Sequence, residues 1–289
     1  MLDETRALFP PVPPLTRRGF VAASLATAGY TLAAGPVAAQ TVVRTDTEGL
    51  IAGNVHIPVS GGEMGAYRAK PATGSGAPVV IVCQEIFGIH EYIKDTCRRL
   101  AKAGYLAVAP DYYFRQGDPS KAADAQGAVA IANKKPDTEL MSDLDATARW
   151  ATTTDGGNGQ KLGVTGFCRG GRATWMYAAH NPNLKAAVAW YGPLVGQANE
   201  LTPKFPIDLA AEMKCPVLGL YGGADTGIPV DTIKRMEEAL KAANKPHEFV
   251  IYPDAPHAFH ADYRPSYRAE PAKDGWNRML AWFKKYGVA

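Results

Sequence analysis

The chain has 289 residues, 46% of them apolar, and a formal net charge of only +3. That is enough apolar material to bury a substantial core in one large α/β domain or two small ones, so disorder is not the default. No run of basic residues is interleaved with aromatics, which removes the electrostatic footprint of a nucleic-acid binder.

The first 39 residues read as an export signal. "LTRRGFV" (15–21) sets two arginines before an apolar stretch from Val21 to Ala34, and "PVAAQ" offers small residues for cleavage after Ala39. The pair Arg17-Arg18 resembles a twin-arginine signal, which hands a folded protein to the twin-arginine translocase and implies a periplasmic destination. Thr27, Gly29, Thr31, Gly35 and Pro36 make the same stretch a poor membrane anchor.

Residues 40–289 are expected to form a single domain, as a monomer or small homo-oligomer. Their four cysteines, Cys83, Cys97, Cys168 and Cys215, are too few and scattered for a disulfide framework or a paired zinc motif. Neither a metal nor an organic cofactor is implied.

Residues 41–58 and 62–71, joined by Ser60-Gly61-Gly62, predict an antiparallel edge hairpin. "PVVIVC" (78–83) and "YLAVAP" (105–110) are continuous apolar runs of the kind that fill a parallel sheet buried on both faces. A helical stretch, 91–104, lies between them, and two more are predicted at about 119–133 and 137–153. "KLGVTGF" (161–167) leads into a helix from Arg169 to about His180, then "KAAVAWYG" (185–192). "CPVLGLYGG" (215–223), a helix at 230–244, the strand "HEFVIY" (247–252) and a final helix near 273–286 complete the chain. Strands alternating with helices mean one doubly wound, mostly parallel α/β sheet with antiparallel edge strands at its N-terminal end.

Ligands of such a sheet bind beyond the carboxyl ends of its strands, so the residues just after each apolar run matter most. Gly166-Phe167-Cys168-Arg169-Gly170 has the spacing of a nucleophile elbow with cysteine in the usual serine position. The glycines spare a strained turn from collisions, and the helix that follows points its positive end at the thiol. An acid and a histidine follow in the order such hydrolases require: Asp225 after the strand 215–223, and His257 after the strand 247–252. His260 is the rival base and Asp254 the fallback acid, while His56, His90, His180 and His247 read as structural. Cys83, two residues before Glu85, reads as a core thiol; the alternative is that it shares Glu85's side of the strand and touches the site. A cysteine is mostly thiol at neutral pH, so a base within reach, Glu85 or His257, is needed to generate the thiolate.

"QEIFGIHEYIKDTCRRLAKAGYLAVAPDYYFRQGD", "GFCRGG", "GGADTGIP" and "DAPHAF" together resemble the dienelactone hydrolases, the cysteine-dependent branch of the α/β-hydrolase fold, over residues 50–287. The resemblance implies a Cys168-His257-Asp225 triad that opens a lactone or small ester through a thioester acyl-enzyme. It gives Glu85 the part of the carboxylate that hydrogen-bonds the resting thiol and accepts its proton. It makes the backbone N–H groups of Ile86 and Arg169 the oxyanion hole, and Arg115 the holder of an anionic substrate's carboxylate. The family's second carboxylate-binding arginine falls here at Ala261; the nearest arginine is Arg264, which the loop "HADYRPSYR" is able to carry to the same point. Two rival readings are a carboxylesterase of unrelated substrate and a non-catalytic small-molecule binding protein. The second has no use for Cys168, Asp225, His257 and Glu85 together.

Overall fold

The computed structural model describes residues 43–289; the signal expected at 1–39 and its expected cleavage after Ala39 lie outside them. One eight-stranded sheet runs through the described chain in the order β1-β2-β4-β3-β5-β6-β7-β8. β1 (Leu50–Val59) and β2 (Gly62–Pro71) form the expected antiparallel hairpin, and β2 meets β4 (Leu106–Pro110) antiparallel as well. From β4 onward through β3 (Pro78–Cys83), β5 (Asn158–Phe167), β6 (Leu184–Trp190), β7 (Val217–Gly222) and β8 (His247–Tyr252) every pairing is parallel.

The apolar runs behave as continuous buried strands. Val79 to Cys83, Leu162 to Phe167 and Ala186 to Trp190 are all buried, as strands covered by helices on both faces must be. Six helices cover the sheet: α1 (Glu91–Lys102), α2 (Ala125–Ala132), α3 (Asp137–Thr153), α4 (Arg169–His180), α5 (Val230–Ala242) and α6 (Ala269–Lys285). Along β5, a Cβ on Gly163 would meet Phe283 of α6, and one on Gly166 would meet Gly170 of α4. Their odd and even positions put α6 and α4 on opposite faces.

Several boundaries differ from the sequence reading: the first strand begins at Leu50 instead of 41, and β5 at Asn158 instead of 161. The stretch 119–133 is two elements, a short 3-10 turn at Pro119–Lys121 and then α2. Asp118 caps the first through Ser120 N–H and Asp124 caps the second through Gly127 N–H, so two acceptors start two helices. The last helix begins at Ala269 instead of near 273, because Pro271 falls in its first turn, where a missing N–H costs nothing. The polar loop after β6 also holds a 3-10 segment, Pro206–Glu212.

Candidate active site

Cys168 stands between β5 and α4 with φ 55° and ψ −119°, a left-handed backbone that a non-glycine residue holds only when its surroundings enforce it. The enforcement is visible on either side. A Cβ on Gly166 would stand 2.3 Å from the Gly170 carbonyl oxygen, and one on Gly170 would stand 2.1 Å from that of Cys83. Strand, turn and helix therefore touch backbone to backbone, and the Cys168 N–H is tied to Trp190 O of the neighbouring strand at 3.0 Å. The side chain has no other way to project than off the carboxyl edge of the sheet.

His257 arrives from the loop after β8 and Asp225 from the loop after β7. His257 Nδ1 and Asp225 Oδ2 are 2.7 Å apart, and Asp225 Oδ1 accepts the N–H groups of Gly227 and Ile228. Both carboxylate oxygens are thus engaged, which fixes the imidazole in plane and its Nδ1–H toward the acid. The charge of Cys168 acts on the same imidazole. Burial alone would lower the basicity of His257, but the Cys168 charge and the hydrogen bond to Asp225 outweigh it and raise the pKa to about 10. Such a ring keeps a proton taken from the thiol.

The rival residues lie elsewhere. His260 is sandwiched among Phe167, Trp190 and Trp276 with Nδ1 2.6 Å from Tyr92 Oη, and burial pushes its pKa well down. Asp254 is exposed. Cys83 is buried below the elbow, where desolvation pushes its thiol up to about 12.

The N–H groups of Ile86 and Arg169 sit at the ends of adjacent strands β3 and β5. No backbone carbonyl among the described residues accepts from either; Arg169 opens α4 and has no acceptor within its own helix.

Glu85 is fully buried, and its partners differ from those the resemblance implied. Tyr263 Oη donates to Glu85 Oε2 at 2.7 Å, and His90 Nε2 lies 3.3 Å from the same oxygen. Desolvation would raise this carboxyl, but His90, the charge of Arg264 and Tyr263 together hold it down at about 2. Both contacts fall on Oε2 of Glu85. His90, read as structural from the sequence, is a neighbour of the site: the loop "QEIFGIH" folds back so that its last residue meets its second.

The two arginines exchange standing. Arg115 is committed to α3: its two terminal nitrogens clasp Asp143 at 2.9 to 3.2 Å, Nη2 also donates to Ser60 O at 2.6 Å, and Glu139 lies 3.5 Å away. Asp143 is buried and pairs with Lys135 as well, which makes Arg115 a brace between the β1–β2 turn and α3. Arg264 reaches the site instead. Its guanidinium packs over the Phe87 ring at 5.0 Å, Nε donates to Tyr263 Oη at 3.1 Å, and its charge acts on both Glu85 and Cys168. Tyr191, directly after β6, was not singled out in the sequence. It is held at φ 37° with its ring edge-on to His257 at 5.2 Å.

The sequence pattern of the Dienelactone hydrolase family matches residues 64–287. The chain belongs to that family. A "Putative carboxymethylenebutenolidase" of Methylorubrum extorquens is 60% identical over 276 residues, 95% of this chain and 94% of that protein. One of the same description from Escherichia coli O157:H7 is 54% identical over 261 residues, 90% of this chain and 96% of its own. The crystal structure of a "Putative Dienelactone Hydrolase" from Klebsiella pneumoniae superposes with a TM-score of 0.80 at 55% identity, covering 82% of this chain and 99% of that one. The sheet, mostly parallel with its antiparallel edge, is the α/β-hydrolase fold, and the family makes the protein a hydrolase with a small-molecule substrate.

Proposed function

We propose that the protein opens a lactone or small carboxylic ester through a thioester on Cys168, and that its preferred substrates carry a carboxylate. The grouping of Cys168 with the hydrogen-bonded pair His257–Asp225, on an elbow that admits no side chain at Gly166 or Gly170, carries this reading. His257 takes the thiol proton, and the thiolate attacks the carbonyl carbon as the carbonyl π pair moves onto oxygen. The N–H groups of Ile86 and Arg169 receive that oxyanion, a contribution of about 3 kcal/mol for each well-placed donor. Collapse re-forms the carbonyl and expels the ring or ester oxygen, which takes its proton from His257. A water then gives a proton to His257 and attacks the thioester, releasing the carboxylic acid and the thiolate. Asp225 keeps the ring oriented and stabilises the imidazolium throughout.

Arg264, beside Cys168 and Glu85, is the group for the substrate carboxylate; a planar guanidinium offers it two parallel hydrogen bonds. Mass spectrometry of the enzyme quenched with p-nitrophenyl acetate should show an acetyl group on the Cys168 peptide, lost after hydroxylamine. Turnover of cis- and trans-dienelactone against neutral esters ranks the substrates. An acylated serine, or turnover that survives iodoacetamide, would overturn the cysteine mechanism.

Residues 1–39 are proposed to be a twin-arginine signal that places the mature hydrolase in the periplasm, on the strength of Arg17-Arg18, the apolar stretch behind them and the small residues before Gln40. Arg17→Lys with Arg18→Lys keeps the charge but should leave the precursor in the cytoplasm on fractionation. Equal periplasmic yield would refute that route.

A further inference from the structure

We propose that Tyr263 is a specificity-determining residue: its hydroxyl takes the Nε–H of Arg264 and gives its own proton to Glu85, fixing the guanidinium where a substrate carboxylate is received. The inference rests on the proposed preference for anionic substrates and adds how the arginine is held. The two distances, 3.1 Å from Arg264 Nε and 2.7 Å to Glu85 Oε2, make a directed chain from cation through phenol to anion. Each member is buried, with Glu85 at 0%, Tyr263 at 4% and Arg264 at 7% exposure, so none of these bonds is replaceable by bulk water.

A long side chain delivered by a loop needs such a guide. The segment from Ala258 to Arg268 is a run of tight turns, with Ala261 N–H on Ala258 O, Arg264 N–H on Ala261 O and Tyr267 N–H on Arg264 O. These bonds fix the backbone of Arg264 but not its four side-chain torsions. The Phe87 ring supports one face of the guanidinium, and the Tyr263 hydroxyl accepts from Nε in its plane, which favours one rotation. Glu85, held ionised by His90 and Tyr263, acts here as the anchoring anion of the anion-binding arginine. Without the phenol, the guanidinium retains its charge and loses a hydrogen bond that orients it.

Tyr263→Phe keeps the ring and deletes the link. It should lower kcat/KM for a carboxylate-bearing lactone by roughly three- to tenfold, less than the loss of a direct hydrogen bond to a charged group because the phenol acts through the arginine, with the change in KM rather than kcat. A neutral ester of the same ring size should lose distinctly less. A wild-type enzyme with no preference for the anionic substrate overturns the functional reading, and this inference with it. A preference that is present in the wild type and untouched in Tyr263→Phe overturns the inference alone. Parallel losses on both substrates overturn it too, since they mark a residue that only supports the fold.

Discussion

Two loops at the carboxyl edge of the sheet each bring an arginine, and their fates are opposite. The loop after β4 carries Arg115, which meets the buried carboxylate of Asp143 and is absorbed into a brace with Lys135 and Glu139. The loop after β8 carries Arg264, which meets Phe87 and a tyrosine and keeps its charge beside Cys168. A cation's function is set by the nearest buried anion. Where that anion belongs to the scaffold the cation becomes structure, and where it is Glu85, bound through one oxygen by Tyr263 and His90, the cation keeps its charge effect on Cys168.

The comparison takes Cys168 as its centre, so the most severe way to break it is to remove the nucleophile. Cys168→Ala should cut kcat by roughly ten-thousandfold to a millionfold in ester hydrolysis, as loss of a triad nucleophile does elsewhere. Near-normal turnover would leave both loops without a centre. Next in size is Asp225→Asn. The amide can present its NH2 group to Nδ1 and reverse the tautomer, so kcat should fall by roughly a thousandfold to ten-thousandfold with KM little changed. A loss confined to KM would make Asp225 a binding residue.

These two residues, with His257, were the easiest to place from the sequence. Cys168, Asp225 and His257 each follow a strand and sit in a loop whose own glycines and prolines announce the turn, so local pattern and chain order sufficed. Glu85 was legible as a site carboxylate but not in its contacts. Its partner Tyr263 lies 178 residues away, and no periodicity joins them. Arg115 looked secure because a family motif surrounds it, and the acid that captures it lies 28 residues on, inside a helix whose pattern reveals only that it is helical. His90 was set aside for a related reason. It stands at the N-cap of α1, and only the folded loop shows that the cap turns toward Glu85.

Arg264→Ala sharpens the comparison at smaller scale. A hydrogen bond to a charged group contributes about 1.5–3 kcal/mol, so kcat/KM for a carboxylate-bearing lactone should fall by roughly 10- to 150-fold. Neutral esters should fall far less, and the ratio of the two is the measurement. An unchanged ratio would return the carboxylate site to an open question and favour a general esterase.

Arg115→Ala should have the smallest effect on chemistry and a clear one on stability. Its loss strips Asp143 of one of two cations and releases Ser60 O, yet Lys135 remains 2.5 Å from the same carboxylate, so the buried charge is not abandoned. Because Arg115 keeps 21% of its side chain exposed, the full penalty for breaking a buried pair does not apply, and about 2 kcal/mol is the expected cost. For a domain of this size that lowers Tm by roughly 4 to 8 °C in a thermal unfolding experiment. The folded enzyme should keep its ratio of anionic to neutral turnover, because the anion it has lost contact with is Asp143 and not a substrate. If the ratio collapsed while Tm held, the brace would be the wrong description. Arg115 would then have to leave Asp143 when substrate enters, and the contrast between the two loops would be one of timing instead of place.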